Sequence, residues 1–579
     1  MRTSSDRGVP APTAPADGTV PALVERAIRE RPDATALKCR EAAGDRAVTY
    51  GELGRLVEAL GATLVARGLP AGGRVALLAE NGPEWAIAYL AALSCGAAIV
   101  PLDTQLGENE IRRCLMHCGA SFLVVSRATA ASFPGGPVHP GVETLVIAGA
   151  DGDAPRSLAA ATAGGERLLA SGDRRFHERR AAVRPGDAAA ICYTSGTTGQ
   201  PKGIVLTHRN IAANVESCVR RIPVRSADVF LSILPLHHTF AATANLLVPL
   251  SIAAEVFFGR SLKSRDIRED VERERVTIMI GVPLLFDRMA AAFDKRVAEL
   301  PAARRLLFRT AGAAIDALGR LLRAEFAPRV FRPLRAAAGI GTLRFCISGG
   351  AALKDETERT FFSIGLPVLQ GYGLTEAAPV VSVTPLGRRR RGTVGPPLPG
   401  VEIRIHEPDK EGVGEILVRG PNVMAGYLDD PAATAGVLRD GWLHTGDLGT
   451  IGADGCIAVA GRKKSVIVTA GGKNVYPDEI EMRLGRSPFV RECVVLAVRD
   501  RRDNERVGAI VVPDYESIAA SRGRMTDEEV RALVAAEVRA ACAELPEYKR
   551  VREIRVRSEE FPKTSTRKVR RHLVTWPVE

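Results

Sequence analysis

Aromatic residues are scarce in this 579-residue chain, at 5%, and basic residues outnumber acidic ones 79 to 67, for a formal net charge of +12. A basic balance without base-stacking aromatic motifs argues against a nucleic-acid partner. It leaves anionic small molecules or an anionic membrane surface to account for the charge. Long apolar runs are lacking too: none approaches the ~20 residues a bilayer span needs, so a cytoplasmic protein is expected. The ten cysteines stand singly except for Cys114 and Cys118, which flank His117. With no second ligand pair nearby, reduced thiols on a core helix are expected there rather than a zinc site. The first twenty residues, a Pro/Ala/Gly stretch with no apolar core, are neither a signal peptide nor a span and read as a flexible tail.

What is present suffices for large cores: 46% of residues are hydrophobic against 25% charged, and the length suggests about four domain-sized units. From Pro21 to about Gly186 helical patterns alternate with short apolar strands. A helical face covers Leu23 to Arg31, strands fall at Val75 to Leu78 and Ala97 to Val100 around a helix at Glu84 to Ser94, and further strands follow at Phe122 to Val125 and Thr144 to Ile147. This alternation predicts an α/β architecture with a mainly parallel, helix-covered sheet that places ligands at the carboxyl ends of its strands.

The densest stretch follows the apolar strand Ala188 to Cys192. It is Tyr193 to Gly203, YTSGTTGQPKG. Gly196 and Gly199 can adopt backbone angles closed to other residues and so turn main-chain N–H groups inward on an anion. Thr194, Ser195, Thr197 and Thr198 add hydroxyl donors, and Lys202 adds a positive charge. The Walker spacing is absent, because counting from Gly196 puts Pro201 where the second glycine should stand. Composition alone fits either a phosphate-handling loop or a polar surface turn.

Further along, Ile204 to Leu206 reads as a strand and Thr207 as the cap of a helix holding Asn210 and Asn214. The segment Val229 to Ala241 ends a strand at Pro235 and exposes His237 and His238, which alone read as a packed pair. Residues 301–335 interleave Arg304, Arg305, Arg309, Arg320, Arg323, Arg329, Arg332 and Arg335 with leucine and phenylalanine, opposed only by Asp316 and Glu325. Such a basic amphipathic segment fits an anionic membrane interface or an ordinary solvated helix face.

A strand at Thr342 to Ser348 runs into Gly349, Gly350, Ala351 and Ala352, small residues that let a flat ring or an acyl chain approach the backbone. After a helix at Lys354 to Phe362, a strand at Pro367 to Gln370 enters QGYGLTEAAP, where Tyr372 offers an aromatic face, Thr375 a hydroxyl and Glu376 a carboxylate able to hold Mg2+. From Gly392 to Ala460 a period of two with frequent glycines predicts a small β-barrel-like subdomain, with Asp447 on a turn near its end. That carboxylate can accept from both hydroxyls of a ribose, or can stabilise the turn. The remainder reads as a compact α/β unit, with strands at Val494 to Val498, Ala509 to Val512 and Val551 to Val556 and a capping box from Thr526 to Glu529.

Taken together, these motifs resemble the adenylate-forming, AMP-binding enzymes, a superfamily of acyl-CoA synthetases, luciferases and peptide-synthetase adenylation domains. The inserted segment 301–335 and the AGGKNVYP text resemble the long-chain fatty acyl-CoA synthetases. The resemblance implies a large N-terminal adenylation domain at 21–463, containing the β-rich subdomain at about 392–460, and a small mobile α/β C-terminal domain at 464–579. It assigns ATP or AMP contacts to Thr194, Ser195, Gly196, Thr197, Thr198, Gly199, Lys202, Gly349, Gly350, Ala351, Gln370, Gly371, Tyr372, Gly373, Thr375, Asp447 and Arg462. Within that set Tyr372 packs on adenine, Thr375 meets phosphate, and Asp447 and Arg462 hold ribose. Glu376 is the magnesium ligand and His238 borders the acyl pocket. Lys464 is the hinge, Gly471, Gly472 and Lys473 line a coenzyme A channel, and Lys568 in FPKTSTRKVRR is the catalytic lysine. The chain departs from the family pattern at Ala241 for glycine, Ser465 for an acidic residue, Thr566 for serine and Arg567 for glycine.

The implied reaction uses ATP, Mg2+ and coenzyme A. A fatty carboxylate, long-chain by the closest resemblance, is activated as acyl-AMP with release of pyrophosphate and then passed to coenzyme A. The alternatives are an acyl-AMP ligase that loads an acyl carrier protein, and a catalytically silent nucleotide-binding or membrane scaffold. The scaffold has no need of Glu376, Asp447 and Lys568 together.

Overall fold

Short apolar runs flanked by helices become strands covered on both faces, as parallel sheets require. The structure, a computed structural model, describes residues 18–41, 44–130, 141–147, 157–194, 202–298, 331–387, 390–469, 473–499, 505–563 and 569–576. The chain divides into two compact units, Met1–Glu402 with Val418–Leu443, and Ile403–Leu417 with His444–Glu579.

The first unit holds two mainly parallel sheets. The seven-stranded one runs Gly426–Tyr427, Lys202–Thr207, Ala188–Thr194, Ala98–Pro101, Arg74–Leu78, Phe122–Ser126 and Glu143–Ile147. Its pairs are parallel from Ala188–Thr194 to Glu143–Ile147, whereas Lys202–Thr207 turns back antiparallel on Ala188–Thr194. One face is sealed by the helix Glu108–Cys118, where Cys114 and Cys118 join Ile111 and Leu115 in the core with Val100 and Leu123.

The eight-stranded sheet runs Val380–Val383, Val368–Gly373, Phe345–Ser348, Ile278–Gly281, Val229–Ser232, Glu255–Phe258, Thr35–Glu41 and Gly44–Thr49. Only the two edge strands are antiparallel to their neighbours. Ile278 lies in register with both Phe230 and Phe345, so these central strands begin together at one edge and end together at the other. Phe257 and Phe286 are fully enclosed here with Met279, Cys346 and Phe361. Burial of each such side chain contributes about 1.5–3 kcal/mol.

In the second unit, strands Glu402–His406, Gly414–Arg419, Trp442–Ile451 and Ile457–Arg462 belong to one sheet. A further three-stranded sheet, Val490–Arg499, Glu505–Pro513 and Glu553–Val556, is covered by helices Pro477–Leu484 and Asp527–Cys542, which bury Ile480, Leu484, Val534 and Val538 against Val495, Val507 and Ala509.

Both capping motifs form. Thr207 Oγ1 accepts from Asn210 N (3.2 Å) while Asn210 Oδ1 accepts from Thr207 N (2.8 Å), and Thr526 and Glu529 make the equivalent exchange. Several strands differ from their expected bounds. Val490–Arg499 and Glu505–Pro513 run longer at both ends because they pair with each other along their length, while Phe345–Ser348 starts after Thr342 and Glu553–Val556 after Val551. Val368–Gly373 runs on past Gln370, because Val380–Val383 pairs back along it and extends the ladder through Gly371 and Tyr372 to Gly373. Of the basic segment 301–335, only Phe331 to Arg335 fall within the described residues. Among the described residues no helix is long and apolar enough to cross a membrane.

Candidate active site

The carboxyl end of the eight-stranded sheet delivers Gln370, Gly371, Tyr372 and Gly373 in succession. Gly373 has no room for a side chain, since a Cβ there would fall 2.0 Å from the Pro379 carbonyl oxygen. The chain then winds into the turn Thr375–Ala377. Buried amides brace this turn from outside. Asn214 donates to the Val380 carbonyl (2.7 Å) and accepts from the Val380 N–H (3.2 Å), while Asn422 donates to the Ala377 carbonyl (2.9 Å). Asn210 donates to the carbonyls of Pro421 and Val423 at 2.8 and 2.7 Å.

On that braced turn Glu376 Oε1 accepts a 3.1 Å bond from the Tyr427 hydroxyl, and the Lys202 ammonium lies 4.9 Å from the centre of the Tyr427 ring. Burial, and next the charge of Glu376, push the Tyr427 phenol well above its ordinary range, so it remains a donor. Lys202 at the end of the first motif is thus linked to the carboxylate of the second through one aromatic ring. No motif flagged Tyr427. Its place follows from the pairing of Gly426–Tyr427 against Ile204 and Val205, a non-local contact.

Thr194 and Lys202 are register partners across the antiparallel ladder. Ser195, Gly196, Thr197, Thr198 and Gly199 lie outside the described residues. Tyr193, at the head of that motif, shares a 2.7 Å bond with His117 Nδ1 and donates to the Cys114 carbonyl at 3.2 Å. Beyond the strand Phe345–Ser348, Gly349 touches the Phe240 ring so closely that a Cβ would fall 2.8 Å from it, Gly350 takes a φ of +87°, and Ala351 is exposed.

The His237 and His238 rings stand 4.2 Å apart, and His237 Nε2 lies 3.5 Å from Asp103 Oδ2. Burial, reinforced by His237, pushes His238 down to about 3, against a small opposing pull from Asp103, so its imidazole is neutral at physiological pH. A small apolar cavity of about 10 Å³, room for about one water, is lined by His237, Tyr89, Cys192, Thr243 and Ala378. His237 rather than His238 faces it. The helix that follows is π-wound over Ala242–Leu247, a distortion frequent beside functional sites.

In the second unit, Asp447 and Arg462 are cross-strand partners joined by a 3.0 Å contact from Arg462 Nε to Asp447 Oδ1, the carboxylate buried and the guanidinium exposed. Next to them Glu415 accepts from Lys463 Nζ (2.9 Å) and Gly446 N (3.1 Å), with His444 Nδ1 at 3.5 Å. Burial opposes the charge on Glu415, but the bonds from Lys463 and Gly446 outweigh it and hold its pKa below the usual range. Sequence reasoning named neither Glu415 nor His444, whose partners come from separate strands.

Lys464 sits on the turn Lys463–Ser465 directly after the strand that carries Arg462. Lys473 is exposed, and its backbone is tied to Thr469 in both directions, at 3.0 and 3.3 Å. Gly471, Gly472 and Lys568 lie outside the described residues. Their described neighbours are well held: Lys563 bridges Val569, Arg570 N donates to the Pro562 carbonyl (2.8 Å), and Arg571 pairs with Glu481.

Among the described residues no cluster of three His, Cys, Asp or Glu could hold a metal unaided. A single hard carboxylate such as Glu376 suits Mg2+, which keeps several waters and is held by one or two carboxylates together with nucleotide phosphates.

The family model for the AMP-binding enzyme matches residues 24–428, and that for the AMP-binding enzyme C-terminal domain matches residues 479–568. The long-chain-fatty-acid–CoA ligase FadD15 of Mycobacterium bovis is 32% identical over 560 residues, covering 91% of this chain and 90% of that one. Feruloyl-CoA synthase of an Amycolatopsis species is 33% identical over 495 residues, covering 84% and 87%. ATP-bound MatB from Rhodopseudomonas palustris superposes with a TM-score of 0.74 at 29% identity, covering 96% of this chain and 98% of its own. Two matched domains that span most of the chain, on a fold shared with an ATP-bound relative, settle the family. The chain belongs to the AMP-binding enzymes, as an AMP-forming acid–thiol ligase of the acyl-CoA synthetase kind that uses ATP, Mg2+ and coenzyme A.

Proposed function

We propose that the carboxylate is a fatty acid, long-chain in its preferred substrate, and that the residues singled out above divide the two half-reactions between them. A carboxylate is a poor electrophile because its charge repels nucleophiles and its leaving group would be oxide. In the first step a carboxylate oxygen of the acid attacks the α-phosphorus of ATP, the bond to the bridging oxygen breaks, and pyrophosphate leaves with the electron pair. Lys568 offsets the charge that gathers on the carboxylate and α-phosphate oxygens. Thr194, Ser195 to Gly199 and Lys202 hold the departing phosphates. Tyr372 packs on adenine, with Gly349, Gly350, Ala351, Gln370, Gly371 and Gly373 keeping the backbone close to the nucleotide, and Thr375 meets phosphate. Asp447 and Arg462 hold the ribose. Glu376, kept in place by Tyr427, would hold Mg2+, which when bound supplies further neutralisation of phosphate charge. His238, neutral, borders the acyl pocket without adding a charge. Rotation about Lys464 then withdraws Lys568 and brings Gly471, Gly472 and Lys473 to the thiol channel. The coenzyme A sulfur attacks the acyl carbon and AMP departs.

The observation that carries the adenylation roles is the Glu376–Tyr427 bond with Lys202 against the same ring. The long-chain reading is supported by the 91% of the chain that aligns with the Mycobacterium bovis ligase, and by the basic amphipathic stretch at 301–335, proposed to touch an anionic membrane. Feruloyl-CoA synthase, at 33% identity, favours a second reading with an aryl acid. ATP/pyrophosphate exchange over a series of straight-chain and aryl acids, then coenzyme A against an acyl carrier protein as acceptor, discriminates these. Exchange confined to aryl acids would remove the fatty-acid reading.

For Lys568 the test separates the half-reactions. Lys568→Ala is expected to lower acyl-AMP formation by about 10²–10³-fold while still converting supplied acyl-AMP to thioester. Equal losses in both steps would remove its role. For the membrane contact, an Arg320→Glu/Arg323→Glu variant is expected to sediment less with anionic vesicles than wild type, and equal sedimentation would end that reading.

A further inference from the structure

The parallel strands Val229–Ser232, Ile278–Gly281 and Phe345–Ser348 begin together, and just ahead of their starts stand Arg225, Arg275 and Arg344. The helix Arg332–Ala337 adds Arg332 and Arg335. These five arginines line one cavity of about 470 Å³, within the range usual for small-molecule sites, and no carboxylate is among its described lining residues. The cavity lies at the end of the sheet opposite Gly349 and the Tyr372 to Glu376 turn, so it is separate from the adenylation site.

Elsewhere in this unit arginines find acids. Arg260 meets Glu269 and Asp270 at 3.0 and 2.9 Å, and Arg273 meets Asp45 at 2.7 Å. Here Arg344 does so, gripping the buried Asp228 with both contacts to Nη1, at 2.6 and 2.5 Å. Arg335 is buried and donates to the carbonyls of Leu343 and Gly365, both at 3.2 Å. Burial, and next the charge of Arg332, push its guanidinium below the usual range, a sign of crowded cations. The side chains of Arg225, Arg275 and Arg332 make no ion pair among the described residues. Arg275 is moreover held at a φ of +52°, a region that non-glycine residues seldom occupy. Planar guanidinium forks match the oxygens of phosphate, and a cavity with several cations and no acid among its described lining residues favours an anion with more than one charge. Leu386, half-buried in the wall, gives an apolar contact, which suits the carbon part of a phosphate ester.

We propose that this cavity is a second ligand site that takes a phosphate monoester, with Arg225, Arg275 and Arg332 as the guanidinium forks. Its source is either a soluble phosphate ester or the headgroup of an anionic phospholipid. The test uses the full-length chain with glycerol 3-phosphate by calorimetry, and with phosphatidylcholine vesicles with or without phosphatidate by co-sedimentation. Wild type and Arg225→Ala/Arg275→Ala are compared, so uptake at the adenylation site is common to both and cancels. Loss of two charged contacts is expected to weaken binding by about tenfold or more, with thermal melting and ATP/pyrophosphate exchange unchanged. An Arg225→Lys/Arg275→Lys variant, which keeps charge but not the forks, should fall between. A difference seen with glycerol 3-phosphate assigns a soluble ester. A difference seen only with phosphatidate vesicles assigns a lipid headgroup. Either supports the site, whereas equal behaviour of wild type and the alanine variant toward both probes, or no binding by wild type, overturns it.

Discussion

At the carboxyl ends of its eight-stranded sheet the chain places glycines, hydroxyls and the carboxylate Glu376, while at the opposite ends it gathers five arginines around a cavity with no acid among its described lining residues. Strand direction produces this contrast. Parallel strands send all their endings to one edge, so short connections there can stack Gly349, Gly350 and the Tyr372 to Glu376 turn side by side. Their beginnings share the other edge, and Arg225, Arg275 and Arg344 meet there although they come from three separate connections. One end is written as a local motif and the other is assembled only by folding.

The largest expected effect tests the first half of that contrast. Glu376→Ala is expected to reduce ATP/pyrophosphate exchange by about 10²-fold or more, the scale seen when a preorganised electrostatic contact is removed. Arg225→Ala, at the other edge, is expected to leave exchange at the wild-type level. Comparable losses in the two variants, measured at saturating ATP, would erase the functional difference between the edges.

A smaller effect is expected from Tyr427→Phe. It deletes the 3.1 Å bond to Glu376 but keeps a ring face for Lys202. A bond to a charged group is worth about 1.5–3 kcal/mol, so exchange is expected to fall by about tenfold, with a higher Mg2+ concentration at half-maximal rate. Tyr427→Ala, which also removes the ring, should lose more. If the phenylalanine variant matches wild type in both rate and Mg2+ dependence, the hydroxyl does not position the carboxylate.

How far this was readable beforehand follows the same division. The strands from Val75 to Ile147, the caps at Thr207 and Thr526, and the turn at Tyr372 to Glu376 were legible because each depends on neighbours within a few residues. Tyr427, Asn422 and Asn214 were not, because their value lies in partners brought from far away: Asn214 reaches Val380 across 166 positions and Tyr427 reaches Glu376 across 51. Glu415 escaped notice for the same reason, standing alone in an alternating strand until Lys463 and Gly446 close on it. The arginines at 301–335 advertised a basic surface, yet Arg332 and Arg335 gain their setting only beside Arg225, Arg275 and Arg344, which lie far from that segment or outside its basic run.

The smallest expected effect concerns acid stability at the carboxyl-end edge. The imidazole of His238 is pushed down to about 3, first by burial and then by His237, with Asp103 pulling weakly the other way. In the unfolded chain a histidine titrates near about 6.5, so between these values the unfolded state binds a proton that the folded state refuses. A base whose folded pKa is depressed costs nothing above about pH 6.5, and stability is then lost progressively as pH falls toward 3. His238→Gln removes the titrating group while keeping a side chain of polar character. Its melting temperature is therefore expected to drop less than that of wild type on acidification from about pH 7 to about pH 4, with the two curves parallel above about pH 6.5. Parallel curves over the whole range would mean that His238 accepts a proton as readily folded as unfolded, and that the carboxyl-end edge excludes positive charge less strictly than its contrast with the arginine edge implies.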